Sequence, residues 1–93
     1  MATTQTRRVN NLTRQDLGRV NALARWYTMG KPNAQESIDE IAELLELTQS
    51  PEEEYSILWW WNEGCRDYCD SMEHLAELNA ALPARRAELF PQS

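Results

Sequence analysis

Apolar residues recur at spacings of three and four near the start of the chain, the spacing of one face of an α-helix. The residues that share this face are Leu17, Val20, Leu23, Ala24 and Tyr27. Thr13 and Asp16 form a capping-box-like pair just before them, with Leu12 placed for a hydrophobic staple to Leu17. Gly30 and Pro32 are typical of a helix end. The pattern predicts a first helix over residues 13–29.

A second apolar stripe follows after this turn. Its members are Ile38, Ile41, Ala42 and Leu45, with Leu44 and Leu47 beside them. Asn33 stands where an N-cap is expected, with Glu36 three residues later. The pattern predicts a second helix over residues 34–47.

The third segment has the clearest helix start in the chain. Ser50 is a good N-cap, Pro51 suits the first helical position, and Glu53 stands at the capping-box position. A seven-residue spacing then places Leu58, Cys65, Met72 and Asn79 at one seam position and Trp61, Tyr68, Leu75 and Leu82 at the other. This seam predicts a long third helix over 51–82, which Pro83 breaks or bends before a short C-terminal helical turn near 84–90.

The long helix sets the expected architecture. It would span about 48 Å at the α-helical rise, whereas a domain of this length has a diameter of roughly 30 Å. Either it kinks near Gly64, or its free length pairs with a second copy in a homodimer. We therefore expect an all-α fold: one domain over 1–93, with a loose polar arm (1–11) and a helical body (12–90) containing a small bundle of three main helices.

Charge is distributed unevenly along the chain, whose net charge is -6. Residues 1–31 contain six basic residues and one acid, a sum of +5, whereas residues 32–93 contain three arginines and fourteen carboxylates, a sum of -11. One interpretation is that the basic first helix packs against acidic helices of the same or a sister molecule. The other is that an acidic face meets a basic partner.

The sequence also bears on location. The polar, arginine-bearing N-terminus has no apolar segment of a secretion signal after it, and no apolar run approaches the roughly 20 residues of a membrane span. Two cysteines in this context indicate reduced thiols. We expect a cytoplasmic protein without a membrane partner.

Residues that could carry catalysis are sparse. His74 is the single histidine, and no recognisable nucleophile or orienting acid accompanies it in sequence. Cys65 and Cys69 lie four apart, a poor match to metal-ligand spacing, and are better interpreted as small apolar residues. We expect no enzyme activity, no metal and no cofactor.

The tryptophan run is the strongest candidate for binding. Three consecutive helical residues span about 200° of the helix, so one buried face cannot cover Trp59, Trp60 and Trp61 together. Trp61 belongs to the seam. An exposed tryptophan beside carboxylates can act as a binding anchor. The predicted partner-binding set is Trp59, Trp60, Glu52, Glu53, Glu63 and Asp67.

A basic stripe supports an alternative. Arg14, Gly18, Asn21 and Arg25 share one side of the first helix, and Arg7 and Arg8 lie in the arm. The four arginines are candidate phosphate contacts, although the third helix begins with three glutamates that would repel nucleic acid.

Three functions fit these features. The first is a small acidic inhibitor or adaptor that occupies a basic protein surface, by analogy with phage-encoded inhibitors of host enzymes or defence complexes. The second is a nucleic-acid accessory protein that uses the basic arm and first helix. The third is a structural homo-oligomer. We favour the first, with a protein partner.

Overall fold

The computed structural model describes residues 12–48 and 50–91, and within these ranges it contains α-helices and no strand. The helices are α1 (Arg14–Thr28), α2 (Ala34–Leu47), α3 (Pro51–Arg66) and α4 (Met72–Leu89). The prediction of an all-helical bundle is thereby confirmed. The predicted polar arm, residues 1–11, lies outside the described residues.

The first two helices lie close to their predicted bounds. Thr13 and Asp16 form a complete capping box: the Thr13 hydroxyl accepts from the Asp16 N–H, and the Asp16 carboxylate accepts from the Thr13 N–H, both at 3.0 Å. Asn33 does not act as predicted, because it adopts a left-handed conformation with φ of 68° and its side chain makes no cap hydrogen bond. A residue in that conformation turns the chain directly into α2.

The predicted single helix over 51–82 is wrong, because the chain turns at residues 67–71. Ser71 starts a new helix by accepting from the N–H of His74 at 3.1 Å. His74 Nδ1 accepts from the N–H of Asp70 at 3.3 Å. Gly64 lies inside α3, so the chain turns after it rather than kinking at it. Pairing in a dimer stays a prediction.

The predicted seam is interrupted at this turn. Its residues Trp61, Cys65, Leu75 and Leu82 are buried. Tyr68 and Met72, however, are 46% and 80% exposed, because they flank the point where the helix stops. The two halves of the seam therefore belong to two different helices that pack into one core.

The predicted break at Pro83 is also wrong. Helix α4 continues through Pro83 to Leu89, so residues 84–89 extend it and form no separate turn. Pro83 has no N–H, so the main-chain carbonyl of Asn79 lacks its α-helical donor four residues on. Pro83 is exposed, which leaves that side of the helix open to solvent.

The helices pack so that α1 and α4 each contact both α2 and α3. The core between them consists of Val20, Ala24, Ile38, Ile41, Ala42, Leu45, Ile57, Trp61, Cys65, Leu75, Leu78 and Leu82. Helices α1 and α3 approach especially closely at Gly64. A Cβ atom there would lie 2.5 Å from the Asn21 carbonyl oxygen and 2.6 Å from the Ala24 Cβ. Only glycine fits this crossing without displacement of the neighbouring helix.

Helices α3 and α4 run antiparallel and are joined by three polar contacts. The Trp61 indole N–H donates to the Leu78 carbonyl at 3.0 Å inside the core. The Asn62–Asn79 contact lies next to it, and the contact between Glu54 and Arg86 lies farther along the pair, toward the start of α3 and the end of α4. Together these contacts fix how α4 lies along α3.

Candidate protein-binding surface

The three consecutive tryptophans have different surroundings. Trp61 is fully buried, with its ring centroid 5.5 Å from that of Tyr27. Trp60 is partly buried and packs against the core. Trp59 is 43% exposed and meets the Trp60 ring edge-on, with centroids 5.2 Å apart. Trp59 is therefore the tryptophan of the run with most surface to offer a partner.

Trp59 borders a groove between α3 and α4 with a volume of about 350 Å³. The residues that line it are Tyr55, Leu58, Trp59, Trp61, Asn62, Asn79 and Pro83. Those from α3 follow the spacing of a single helical face. We call this set the α3–α4 groove. Its walls are largely apolar and aromatic, and its polar groups include two side-chain amides and the Tyr55 hydroxyl, a composition typical of binding sites.

The two amides in the groove bind each other. Asn79 Nδ2 donates to Asn62 Oδ1 at 2.7 Å. A pair of amides joined by one hydrogen bond retains one oxygen acceptor and one nitrogen donor for other partners. No buried side-chain nitrogen or oxygen in residues 12–48 and 50–91 lacks a partner, so these remaining amide atoms reach solvent.

The predicted partner-binding residues lie on two sides of α3. Glu52, Trp59 and Glu63 share the outer face, at spacings of seven and four. Glu53, Trp60 and Asp67 recur at spacings of seven on the side that faces α1, since Gly64 follows Trp60 by one turn. The six residues therefore do not form a single site.

Most described arginines are paired with carboxylates of the bundle itself. Arg85 binds Asp39 at 2.6 Å, Arg86 binds both Glu46 and Glu54, and Arg66 binds Glu63 at 3.0 Å. The Arg85 guanidinium lowers the pKa of Asp39 chiefly through its hydrogen bond. In the same way, a hydrogen bond from Arg19 lowers the pKa of Glu40.

The α3–α4 hairpin has carboxylates that are not paired with an arginine. Within the described part of the chain, these residues form no ion pair: Glu52, Asp67, Asp70, Glu73 and Glu77. Glu52 is exposed one turn before Tyr55, at one end of the groove. The negative charge of this part of the molecule is thus directed to solvent.

The candidate phosphate contacts are only partly described. Arg14 and Arg25 form no ion pair with other described residues. Gly18 lies between them at an open position, where an added Cβ atom would meet nothing within 4 Å. The two arginines are about 16 Å apart along α1 at the helical rise. Arg7 and Arg8 lie outside the described residues.

Other groups offer little chemistry. Burial raises the pKa of the Cys65 thiol to about 11, which disfavours its reactive thiolate. No cluster of three or more His, Cys, Asp or Glu residues suited to a metal occurs among the described residues. Within the same ranges, every helix is too short or too polar to cross a membrane.

No protein-family model matches the chain, and no curated protein or solved structure is significantly similar to it.

Several groove residues escaped prediction. Tyr55 and Asn62 flank Trp59 at spacings of four and three, a signal that was present in the sequence. Asn79 was visible as the polar exception in an otherwise apolar seam. That Pro83 joins them could not be foreseen, because it was expected to end the helix.

Proposed function

We propose that this protein is a small acidic inhibitor or adaptor that binds a basic surface of a protein partner. The contact surface is the α3–α4 groove together with Glu52 at its end. The observation that carries the proposal is the exposed Trp59 on the wall of an apolar groove.

Trp59 and its neighbours have the character of an interface hot spot. Tryptophan and tyrosine supply much of the binding energy in protein interfaces, above all where a pocket adjoins them. Tyr55 and Trp59 both expose large aromatic surface on the same face. A partner side chain inserted into the groove would bury both rings.

Charge supports a basic partner. Arg19, Arg66, Arg85 and Arg86 are paired within the bundle, while the hairpin acids named above remain uncompensated. Complementary charge accelerates association and discriminates against acidic partners. Inhibition follows if the basic surface that the protein covers is one the partner uses for nucleic acid or another anion.

The test is a pull-down that compares the proteins captured by the unaltered protein and by two tryptophan variants. Trp59→Ala is compared with Trp26→Ala, because Trp26 is 42% exposed near the end of α1 and does not line the groove. We expect a captured protein to be lost with Trp59→Ala and with added salt, but retained with Trp26→Ala.

Equal capture by both variants, or capture that salt does not weaken, would contradict the proposal. Light scattering over a dilution series of the purified protein covers the homo-oligomer alternative, in which a stable dimer persists on dilution and Trp59→Ala dissociates it.

Arg14 and Arg25 favour a second candidate, a nucleic-acid accessory protein, because neither is neutralised by a described carboxylate. A low-salt gel shift with the double variant Arg14→Gln, Arg25→Gln tests it. No retardation of nucleic acid by the unaltered protein at high micromolar concentration would rule it out.

A further inference from the structure

The α3–α4 groove contains neutral hydrogen-bond acceptors that are open to a ligand. The Asn62–Asn79 pair retains an amide oxygen that no described residue engages. The main-chain carbonyl of Asn79 is a second acceptor, because Pro83 supplies no N–H to it. Both residues line the groove. The groove therefore combines two neutral acceptors with an aromatic wall.

We infer that the α3–α4 groove binds an arginine side chain of the basic partner. The inference rests on the proposed function and specifies the chemistry that its binding surface recognises. The planar guanidinium stacks against Trp59 or Tyr55 and donates to the Asn79 amide and main-chain oxygens. The aliphatic stem of the arginine covers Leu58 and Pro83.

Arginine matches this lining better than lysine does. Its guanidinium is planar, weakly hydrated and able to donate several hydrogen bonds at once while it stacks on an aromatic ring. An ammonium group is a compact, strongly hydrated charge that loses more on leaving water. Glu52 at the groove end adds attraction for either cation without selecting between them.

Other occupants fit less well. An apolar side chain would cover the two acceptors without satisfying them, which costs free energy. An anion would find no cation among the groove residues. A second copy of the chain would bring its own net charge of -6 against the same acidic hairpin.

The experiment uses three blocked hexapeptides, of arginine, lysine and citrulline, titrated into the full-length protein. Citrulline keeps the planar shape of arginine and loses its charge. Binding is followed by nuclear magnetic resonance at the Trp59 indole N–H, assigned by its loss in Trp59→Phe. We expect the arginine peptide to bind about tenfold more tightly than the lysine peptide, with no shift from citrulline.

A matched variant tests the open carbonyl. Pro83→Val keeps an apolar side chain in the groove and provides the N–H that closes the carbonyl of Asn79. We expect it to weaken the arginine peptide about threefold to tenfold. Removing proline from a helix interior does not destabilise the helix. We therefore expect Pro83→Val to remain folded, and its thermal midpoint, measured by thermal unfolding, checks this.

Trp26→Phe is the control for the loss of an exposed tryptophan elsewhere, and should leave affinity unchanged. Equal affinity for arginine and lysine peptides, or shifts absent from Trp59 and the two asparagine amides, would overturn the inference. In that case a partner captured through Trp59 would still support the proposed function. If instead the peptide binds as expected but no Trp59-dependent partner is found, the proposed function fails and the arginine site stands.

Discussion

Helix α3 has two flanks that differ in how closely other helices cover them. On the flank toward α1, Gly64 lets two backbones approach until no side-chain carbon would fit. On the flank toward solvent, the α3–α4 groove leaves a volume of about 350 Å³ unfilled. The tryptophan run extends across both flanks, so residues that are adjacent in sequence have different roles.

This contrast shows how a small helical protein divides its aromatic residues. Trp61 contributes apolar burial and satisfies its indole N–H on the Leu78 carbonyl, so it acts in stability. Trp59 gives up part of that burial and becomes available to a partner.

The strongest contrast in stability should separate these two tryptophans. Trp61→Ala should lower the free energy of unfolding by about 3–5 kcal/mol, because it leaves a large cavity and removes the indole hydrogen bond to the Leu78 carbonyl. Trp59→Ala should lower it by only about 1–2 kcal/mol, because Trp59 is already 43% exposed. Urea unfolding followed by circular dichroism measures both. Similar losses in the two variants would show that the flanks do not differ as described.

Two glycines give a smaller, opposite pair of effects. Gly64→Ala should destabilise the protein by about 1–3 kcal/mol, because the new methyl group meets α1. Gly18→Ala should stabilise it by roughly 0.5–1 kcal/mol, because its site on α1 is open and alanine favours helix. Shifts in the thermal midpoint report both signs. A rise in the thermal midpoint of Gly64→Ala would contradict the close approach of α1 and α3 at this position.

The weakest contrast is between a paired carboxylate and an uncompensated one. Since the Arg85 hydrogen bond holds the pKa of Asp39 below its ordinary value of 3.8, this contribution to stability is full above that pH and is lost as pH falls below it. Asp39→Asn should therefore lower stability at pH 7, with the difference shrinking toward pH 2. Glu77→Gln, on the exposed hairpin, should change stability little at either pH. Chemical unfolding at both pH values measures the contrast, and a loss at Asp39 that is independent of pH would refute it.

Local signals predicted the helix ends well where a single residue decides them. Thr13 with Asp16, and Ser50 with Pro51, each start a helix at the predicted position. These signals depend on bonds within one turn, so no knowledge of the fold is needed. The same logic applied to Ser71 would have revealed the turn between α3 and α4.

Periodicity misled where two helices share one phase. The seven-residue seam continues from Trp61 to Leu75 and Leu82, although the helix does not, because both helices face the same core. Pro83 misled for a related reason. Its missing hydrogen bond falls on the exposed side of α4, where water can serve the carbonyl.

The groove itself was only half predictable. The spacing of Tyr55, Trp59 and Asn62 places them on one face of a helix, but nothing in the sequence indicates that Asn79 lies opposite. That juxtaposition depends on the antiparallel packing of α4, a tertiary feature. The division of the predicted acids between two faces, in contrast, follows from their spacing along α3 and was present in the sequence.

The indole hydrogen bond from Trp61 to Leu78 also fixes the register of α4 against α3. A slip of α4 by one residue would rotate its face by about 100°. Asn79 would then turn away from Asn62, and Arg86 away from Glu54. One buried hydrogen bond thus sets the alignment of α4 with α3, and the shape of the exposed groove depends on that alignment.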